Sequence, residues 1–184
     1  MCSAQKKAAL IHFTARNAMD IRGFGKETIE TLVDDGVLQT QADFFKLKPG
    51  TLLSSTLGCT ETYANKLICA VETAKGQTLR RLLYGLGIRY SGEGTAKRIT
   101  QHYDTLEALL SASKDDYLRI DDIGPKTAQS LEDFFINNPY TRAIAMELAE
   151  VFKFKQSGIK ASEFTGKRIS TSGSIPGVSR AHLN

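Results

Sequence analysis

Apolar residues in this chain fall at helical spacing behind four short turns. Anchored on Gly25, Thr60, Gly92 and Gly124, which stand 35, 32 and 32 residues apart, the same positions repeat. Four residues after each anchor come Ile29, Ala64, Ala96 and Ala128; seven after come Leu32, Leu67, Ile99 and Leu131; four before come Ile21, Thr56, Ile88 and Ile120. Apolar positions three to four apart line one face of a helix, and a fixed period of this size marks a repeated supersecondary unit. Each unit reads as a helix, a turn of two or three residues and a second helix. The pattern therefore predicts an all-α fold, with four tandem helical hairpins in a compact domain and a short non-helical C-terminal tail.

Residues 3–18 are predicted to form a helix with an apolar side of Ala8, Ala9, Leu10, Ile11 and Phe13. Residues 19–33 carry the first turn and its second helix, which Gly36 ends as a C-cap glycine. A short capped helix follows over 40–47, and Pro49 opens another through Leu52 and Leu53. The second turn, Gly58-Cys59-Thr60, leads into a helix to about Lys75, with Cys69 expected as a packing residue beside its apolar face. Leu79 to Tyr84 is a helix, and the glycines that follow it make a shaped loop, because they are costly inside a regular helix. Asp104 and Ser113 are the expected N-caps of two short helices, with Ser113 and Asp116 spaced as a capping box. The fourth turn is Asp122-Ile123-Gly124-Pro125, and Asn138-Pro139 starts a last helix through Ile144, Leu148, Val151 and Phe152. Residues 155–163 read as a linker. Residues 164–184 are polar and rich in Gly and Ser, too short to bury a core, and expected to be mobile.

The turns carry the candidate chemistry. Glycine allows a reversal in two or three residues, and it leaves the turn without side chains. Backbone amides at the start of the next helix are unpaired and sit at the positive end of its dipole, so such a turn is a small anion cradle. Lys26, Lys97, Arg98 and Lys126 lie just beyond three of the turns. Cradles at regular spacing point to a phosphate polymer. The second turn has Thr60 at its anchor; a β-branched residue resists positive φ, so this unit is expected to be structural and a poor cradle. The competing reading is that the glycines only permit tight turns between helices and that the lysines form a solvated face.

Composition narrows the classes. The formal net charge is +4 and the pI about 8.9, which permits nucleic acid without requiring it. No apolar run is long enough for a membrane span, and the N-terminus has no signal core. Cys2, Cys59 and Cys69 make no disulfide framework, so a reducing cytoplasm is the default. His12, His102 and His182 show no metal-ligand or triad spacing, and the paired aspartates sit where capping explains them. No Walker loop, zinc-cluster spacing or nucleophile elbow occurs.

The repeated unit resembles the helix-hairpin-helix motif, which binds nucleic-acid backbones without reading sequence. Two longer runs are more specific. His12-Phe13 through Arg16, Ala18-Met19-Asp20-Ile21 and Gly23-Phe24-Gly25 look like the bacterial NAD-dependent DNA ligase family just after its zinc finger. Leu82-Leu83-Tyr84-Gly85-Leu86-Gly87-Ile88-Arg89, with Gly92-Glu93 and Thr95-Ala96, is similar to that family's most recognisable stretch, and Asp121-Asp122-Ile123-Gly124 fits too.

The resemblance implies a domain plan: 1–18 as the end of the zinc finger and a connecting helix, 19–154 as the helix-hairpin-helix domain, 155–163 as linker and 164–184 as a truncated start of a BRCT domain. Cys2-Ser3-Ala4-Gln5 then matches the last zinc-finger cysteine, so Cys2 is a metal ligand only if the rest of that finger is present. Phe164 to Lys167 and Ser172 to Arg180 match the BRCT opening, with Ser170 and Thr171 standing where the family has apolar strand residues.

Family members seal nicks in duplex DNA during replication, repair and recombination. NAD adenylates a lysine in a K-x-D-G motif, AMP passes to the 5′-phosphate, and the 3′-hydroxyl displaces it. No K-x-D-G occurs here, so the implied parent is an enzyme using NAD, magnesium and zinc, while this chain alone is expected to be catalytically silent and to need no cofactor. The implied partners are nicked double-stranded DNA and the other ligase domains, in a monomer in the bacterial cytoplasm. The DNA-binding residues so implied are Gly23, Gly25, Lys26, Gly92, Glu93, Gly94, Lys97, Arg98, Gly124 and Lys126, with Arg22 and Arg89 as the turns begin. A stand-alone helix-hairpin-helix module of another repair protein, or a helical protein-interaction module, are the alternatives.

Overall fold

The computed structural model describes residues 3–152; Cys2 and the stretches predicted as linker and BRCT opening lie outside the described residues. Among the described residues there are ten α-helices and no strand. In chain order they are α1 (Ser3–Thr14), α2 (Lys26–Asp34), α3 (Pro49–Ser54), α4 (Glu61–Ala74), α5 (Leu79–Gly85), α6 (Glu93–Ile99), α7 (Leu106–Ser111), α8 (Lys114–Leu118), α9 (Pro125–Glu132) and α10 (Pro139–Val151). A 3-10 turn over Gln41–Lys46 joins α2 to α3, and α9 ends in a single π-type turn, Asp133–Asn137. Helices pack in sequence-adjacent pairs, α1 on α2, α3 on α4, α5 on α6 and α8 on α9. The turn inside each pair is numbered here as hairpin 1 to 4. No described helix is long and apolar enough to cross a membrane.

The repeated apolar positions are buried as the spacing requires. Ile29, Leu32, Ala64, Leu67, Ala96, Ile99, Ala128 and Leu131 all sit in one core, and each large side chain so buried contributes about 2 kcal/mol. Phe44 is central to the first half: Phe13 stacks on it at 5.9 Å and Phe24 meets it edge-on at 5.1 Å. α10 ties the ends together, since Phe152 meets Phe45 edge-on at 4.9 Å and Glu147 pairs with Lys46 at 2.6 Å. In the second half Tyr117 is fully buried and its hydroxyl donates to the Leu109 carbonyl at 3.0 Å; burial pushes its phenol well above the ordinary value, so it stays a donor.

Several expected caps are present. Gly36, at φ +75°, ends α2 with the Gly36 and Val37 amides returning to Val33 and Leu32, the Schellman arrangement. Asn138 caps α10 through the Tyr140 and Thr141 amides. Ser113 and Asp116 form the capping box of α8. The Asp116 carboxyl accepts from the Ser113 hydroxyl and amide, which hold it below the ordinary carboxylate value. A group with a lowered folded pKa adds stability above its unfolded pKa and loses it as pH falls through the folded value. Asp116→Asn is therefore expected to lower the melting temperature at neutral pH, with the gap to the parent chain narrowing as pH falls through and below the ordinary carboxylate range. Thermal melts across the acid range check this; a gap independent of pH would deny the carboxylate its role.

Three local expectations need correction. α1 stops at Thr14, not residue 18, because the next residues wrap its end: the Met19, Asp20 and Ile21 amides return to Phe13, Ala15 and Thr14. Arg81 then pins this wrap, with Nε donating to the Ala18 carbonyl at 2.6 Å and Nη2 donating to Arg16. The N-cap of α7 is Thr105 rather than Asp104, since the Thr105 hydroxyl accepts from the Ala108 amide. Cys69 is exposed on α4 and is not a packing residue.

Candidate nucleic-acid interface

The four hairpins share one backbone path. Two residues before each anchor the chain enters the left-handed region, at Gly23 (φ +90°), Gly58 (+60°), Tyr90 (+61°) and Asp122 (+60°). The anchors themselves are extended N-caps, with φ −71° at Gly25, −77° at Thr60, −80° at Gly92 and −82° at Gly124. Each anchor carbonyl accepts from the amide four residues on, at 2.9–3.0 Å in all four. The reason expected for the weakness of hairpin 2 is therefore wrong. Thr60 meets no positive φ, and hairpin 2 folds as well as the others.

What separates hairpin 2 is its cap. The Thr60 hydroxyl accepts from the Tyr63 amide at 3.3 Å, so this turn satisfies its own N–H. No side chain caps α2, α6 or α9, whose N-caps are Gly25, Gly92 and Gly124. By contrast α5, α7, α8 and α10 are each capped by Ser, Thr or Asn; α3, behind Lys48, also lacks a side-chain cap. A Cβ built on Gly25, Gly92 or Gly124 would meet nothing within 4 Å. Neither backbone conformation nor internal packing requires glycine at these positions. The turns are left bare, with no side chain capping the helices that follow.

The charged residues divide into free and paired. Gly23, Gly25, Gly92, Glu93, Gly94 and Gly124 are exposed, as are Arg22, Lys26, Arg89, Lys97 and Lys126. Lys26 is only loosely held, 4.0 Å from Glu30, and Arg22 stands 3.8 Å from Asp20. The Arg89 guanidinium lies 5.0 Å from the Tyr90 ring centroid, a cation–π distance. Arg98 is half-buried, and its Nη2 donates to Asp122 at 2.8 Å, joining α6 to the turn of hairpin 4. Glu93 is paired with Arg80 of α5 at 2.6 Å, which offsets a negative charge beside the bare turn of hairpin 3.

Arg80, Asp122, Tyr63 and Leu67 make contacts at the turns that the repeat pattern does not give. The Tyr63 hydroxyl donates to the Gly23 carbonyl at 3.0 Å, and a Cβ on Gly23 would lie 2.6 Å from Leu67 Cδ2. Among the described residues no group of three or more His, Cys, Asp or Glu side chains is placed to hold a metal ion. Cys2, the one metal-ligand candidate in the sequence, is outside them.

A family model described as a helix-hairpin-helix motif matches residues 81–144. That span runs from α5 through hairpins 3 and 4 into α10. Hairpins 1 and 2 lie outside it, yet they repeat its left-handed position, its extended N-cap and its anchor hydrogen bond. The architecture is all-α, and residues 81–144 of this chain carry a helix-hairpin-helix motif.

Proposed function

We propose that this chain binds the sugar-phosphate backbone of duplex DNA without reading sequence. Hairpins 1, 3 and 4 hold phosphates through the amides of Gly23, Gly25 and Lys26, of Gly92 to Gly94, and of Gly124 and Lys126. Lys26, Lys97 and Lys126 add Coulomb attraction. The observation that carries the reading is the contrast among N-caps: three bare glycines with open space before them, against one threonine that satisfies its own turn. Arg98 serves less as a phosphate ligand than as a strut, because Asp122 already holds it. Contacts of this kind fix position and carry no base information.

The test is fluorescence anisotropy with nicked duplex, intact duplex and single strand at two salt concentrations. Duplex binding that is indifferent to sequence and falls at least ten-fold between about 50 and 200 mM salt is expected, since each phosphate neutralised releases counterions. Binding that salt leaves unchanged, or no duplex binding at low salt, would return the chain to the protein-interaction reading.

The finer part of the proposal is that the chain is the DNA-holding segment of an NAD-dependent DNA ligase, acting on nicked duplex beside an adenylation domain that uses NAD and magnesium. The support is the run Leu82 to Arg89 with Gly92-Glu93, together with His12 to Gly25. In such an enzyme this chain contributes grip and orientation, and bond-making lies with the other domains. A K-x-D-G motif encoded in frame ahead of this chain is the expected finding. Its absence there, with a nuclease or junction-binding domain in its place, would favour a different repair protein.

A further inference from the structure

Hairpin 2 has a turn that satisfies itself, yet it keeps the full backbone geometry of its neighbours. Its helix α4 explains what that geometry is used for. The Tyr63 phenol reaches forty residues back along the chain to donate to the Gly23 carbonyl at 3.0 Å. One turn further along α4, Leu67, 1% exposed, occupies the space where a Cβ on Gly23 would stand, with Cδ2 2.6 Å from that point. The brace is reciprocal: Asp35, at the end of α2, accepts from the Thr56 amide and the Thr56 hydroxyl, both at 2.7 Å, as hairpin 2 begins. α4 therefore grips the left-handed residue of hairpin 1, and α2 grips the approach to hairpin 2.

We infer that hairpin 2 is the brace that positions the phosphate cradle of hairpin 1, with Tyr63 as its positioning residue. This rests on the duplex-binding reading above. The peptide between Gly23 and Phe24 is planar and trans, so a fixed Gly23 carbonyl fixes the plane from which the turn runs on to Gly25 and Lys26. An unbraced turn spends part of its time in other orientations, and binding must then first select the competent one. The C-terminal pair is built differently. There the equivalent of Tyr63 is Thr127 and the equivalent of Gly23 is Tyr90, and the cross-link is the Arg98–Asp122 ion pair instead.

Tyr63→Phe removes the hydroxyl and keeps the ring, and its duplex affinity is read at a temperature where circular dichroism shows every variant folded. The variant is expected to bind duplex about five-fold more weakly, the loss typical of one hydrogen bond. In a Gly25→Asp background, where the hairpin 1 cradle is already blocked, Tyr63→Phe is expected to cost nothing more. In a Gly124→Asp background it is expected to cost its full five-fold, because hairpin 4 is not braced by α4. A general structural role gives the same loss in both backgrounds and would overturn the inference, as would a Tyr63→Phe variant that binds as tightly as the parent. If the parent binds no duplex, the reading and the inference fall together. If Gly25→Asp weakens binding and Tyr63→Phe does not, the inference alone falls.

Discussion

Gly92→Asp and Gly124→Asp are each expected to weaken duplex binding ten- to hundred-fold while leaving the fold slightly more stable. The opposite signs come from one geometry. Both glycines are N-caps with extended backbone, at φ −80° and −82°, and a Cβ on either meets nothing within 4 Å. Aspartate is among the best N-cap residues, and a negative charge there suits the helix dipole. The change from glycine should therefore add about 0.5 kcal/mol, or a degree or two in melting temperature. That carboxylate takes the first-turn amides and places a negative charge where the phosphate would sit. Loss of one charge-assisted contact is worth about 1.5–3 kcal/mol, which is the stated range in affinity. Thr60→Asp is the internal control, because the Thr60 hydroxyl already occupies that role; its affinity should stay within about two-fold of the parent. Paired thermal melts and anisotropy titrations check the set. Equal losses at residues 60, 92 and 124 would remove the distinction between bare and self-capped hairpins.

Gly23→Ala is expected to be the most damaging single methyl in the described chain. Gly23 sits at φ +90°, where an L-residue is strained by about 1–2 kcal/mol, and its new Cβ would lie 2.6 Å from Leu67 Cδ2. Leu67 is 1% exposed and sits in the core, so moving its Cδ2 aside disturbs the side chains packed around it, and overpacking adds about 1–3 kcal/mol. A total near 3 kcal/mol lowers the melting temperature by about 6–12 °C for a chain of this size. Gly58→Ala isolates the backbone part, since φ is +60° there and nothing lies within 4 Å of the added methyl. It should cost about 1 kcal/mol. Similar losses at the two positions, measured by thermal melts, would mean that α4 does not press on hairpin 1 as described.

The architecture was legible because it repeats. Ile29, Ala64, Ala96 and Ala128 recur at one offset and Leu32, Leu67, Ile99 and Leu131 at another, and a helix has little choice about which face it buries when both rows are apolar. The purpose of the anchor glycine was harder to read. Glycines stand at both 23 and 25, and from sequence either one could supply the left-handed residue. The turns themselves held the clue: Gly23 and Gly58 align with each other, two residues before the anchors, whereas Gly25 aligns with Thr60. Tyr90 and Asp122 hide that signal in the later turns by accepting positive φ without glycine.

Contacts between units were not legible. Tyr63 to Gly23 and Arg98 to Asp122 each depend on how one hairpin lies against another, and no local spacing encodes that. The end of α1 was missed for the same reason. Ala15, Arg16 and Ala18 are acceptable in a helix, but Arg81, 63 residues after Ala18, holds the chain in a different course.

The most direct measurement is an amide NMR titration of the isotopically labelled chain with a short duplex at low salt. The bare turns should respond, with shift changes concentrated at residues 23–28, 92–95 and 124–128 and little movement at 60–63. An equal response at 60–63, or turn amides that stay still while the duplex binds, would contradict a backbone cradle as the site of binding.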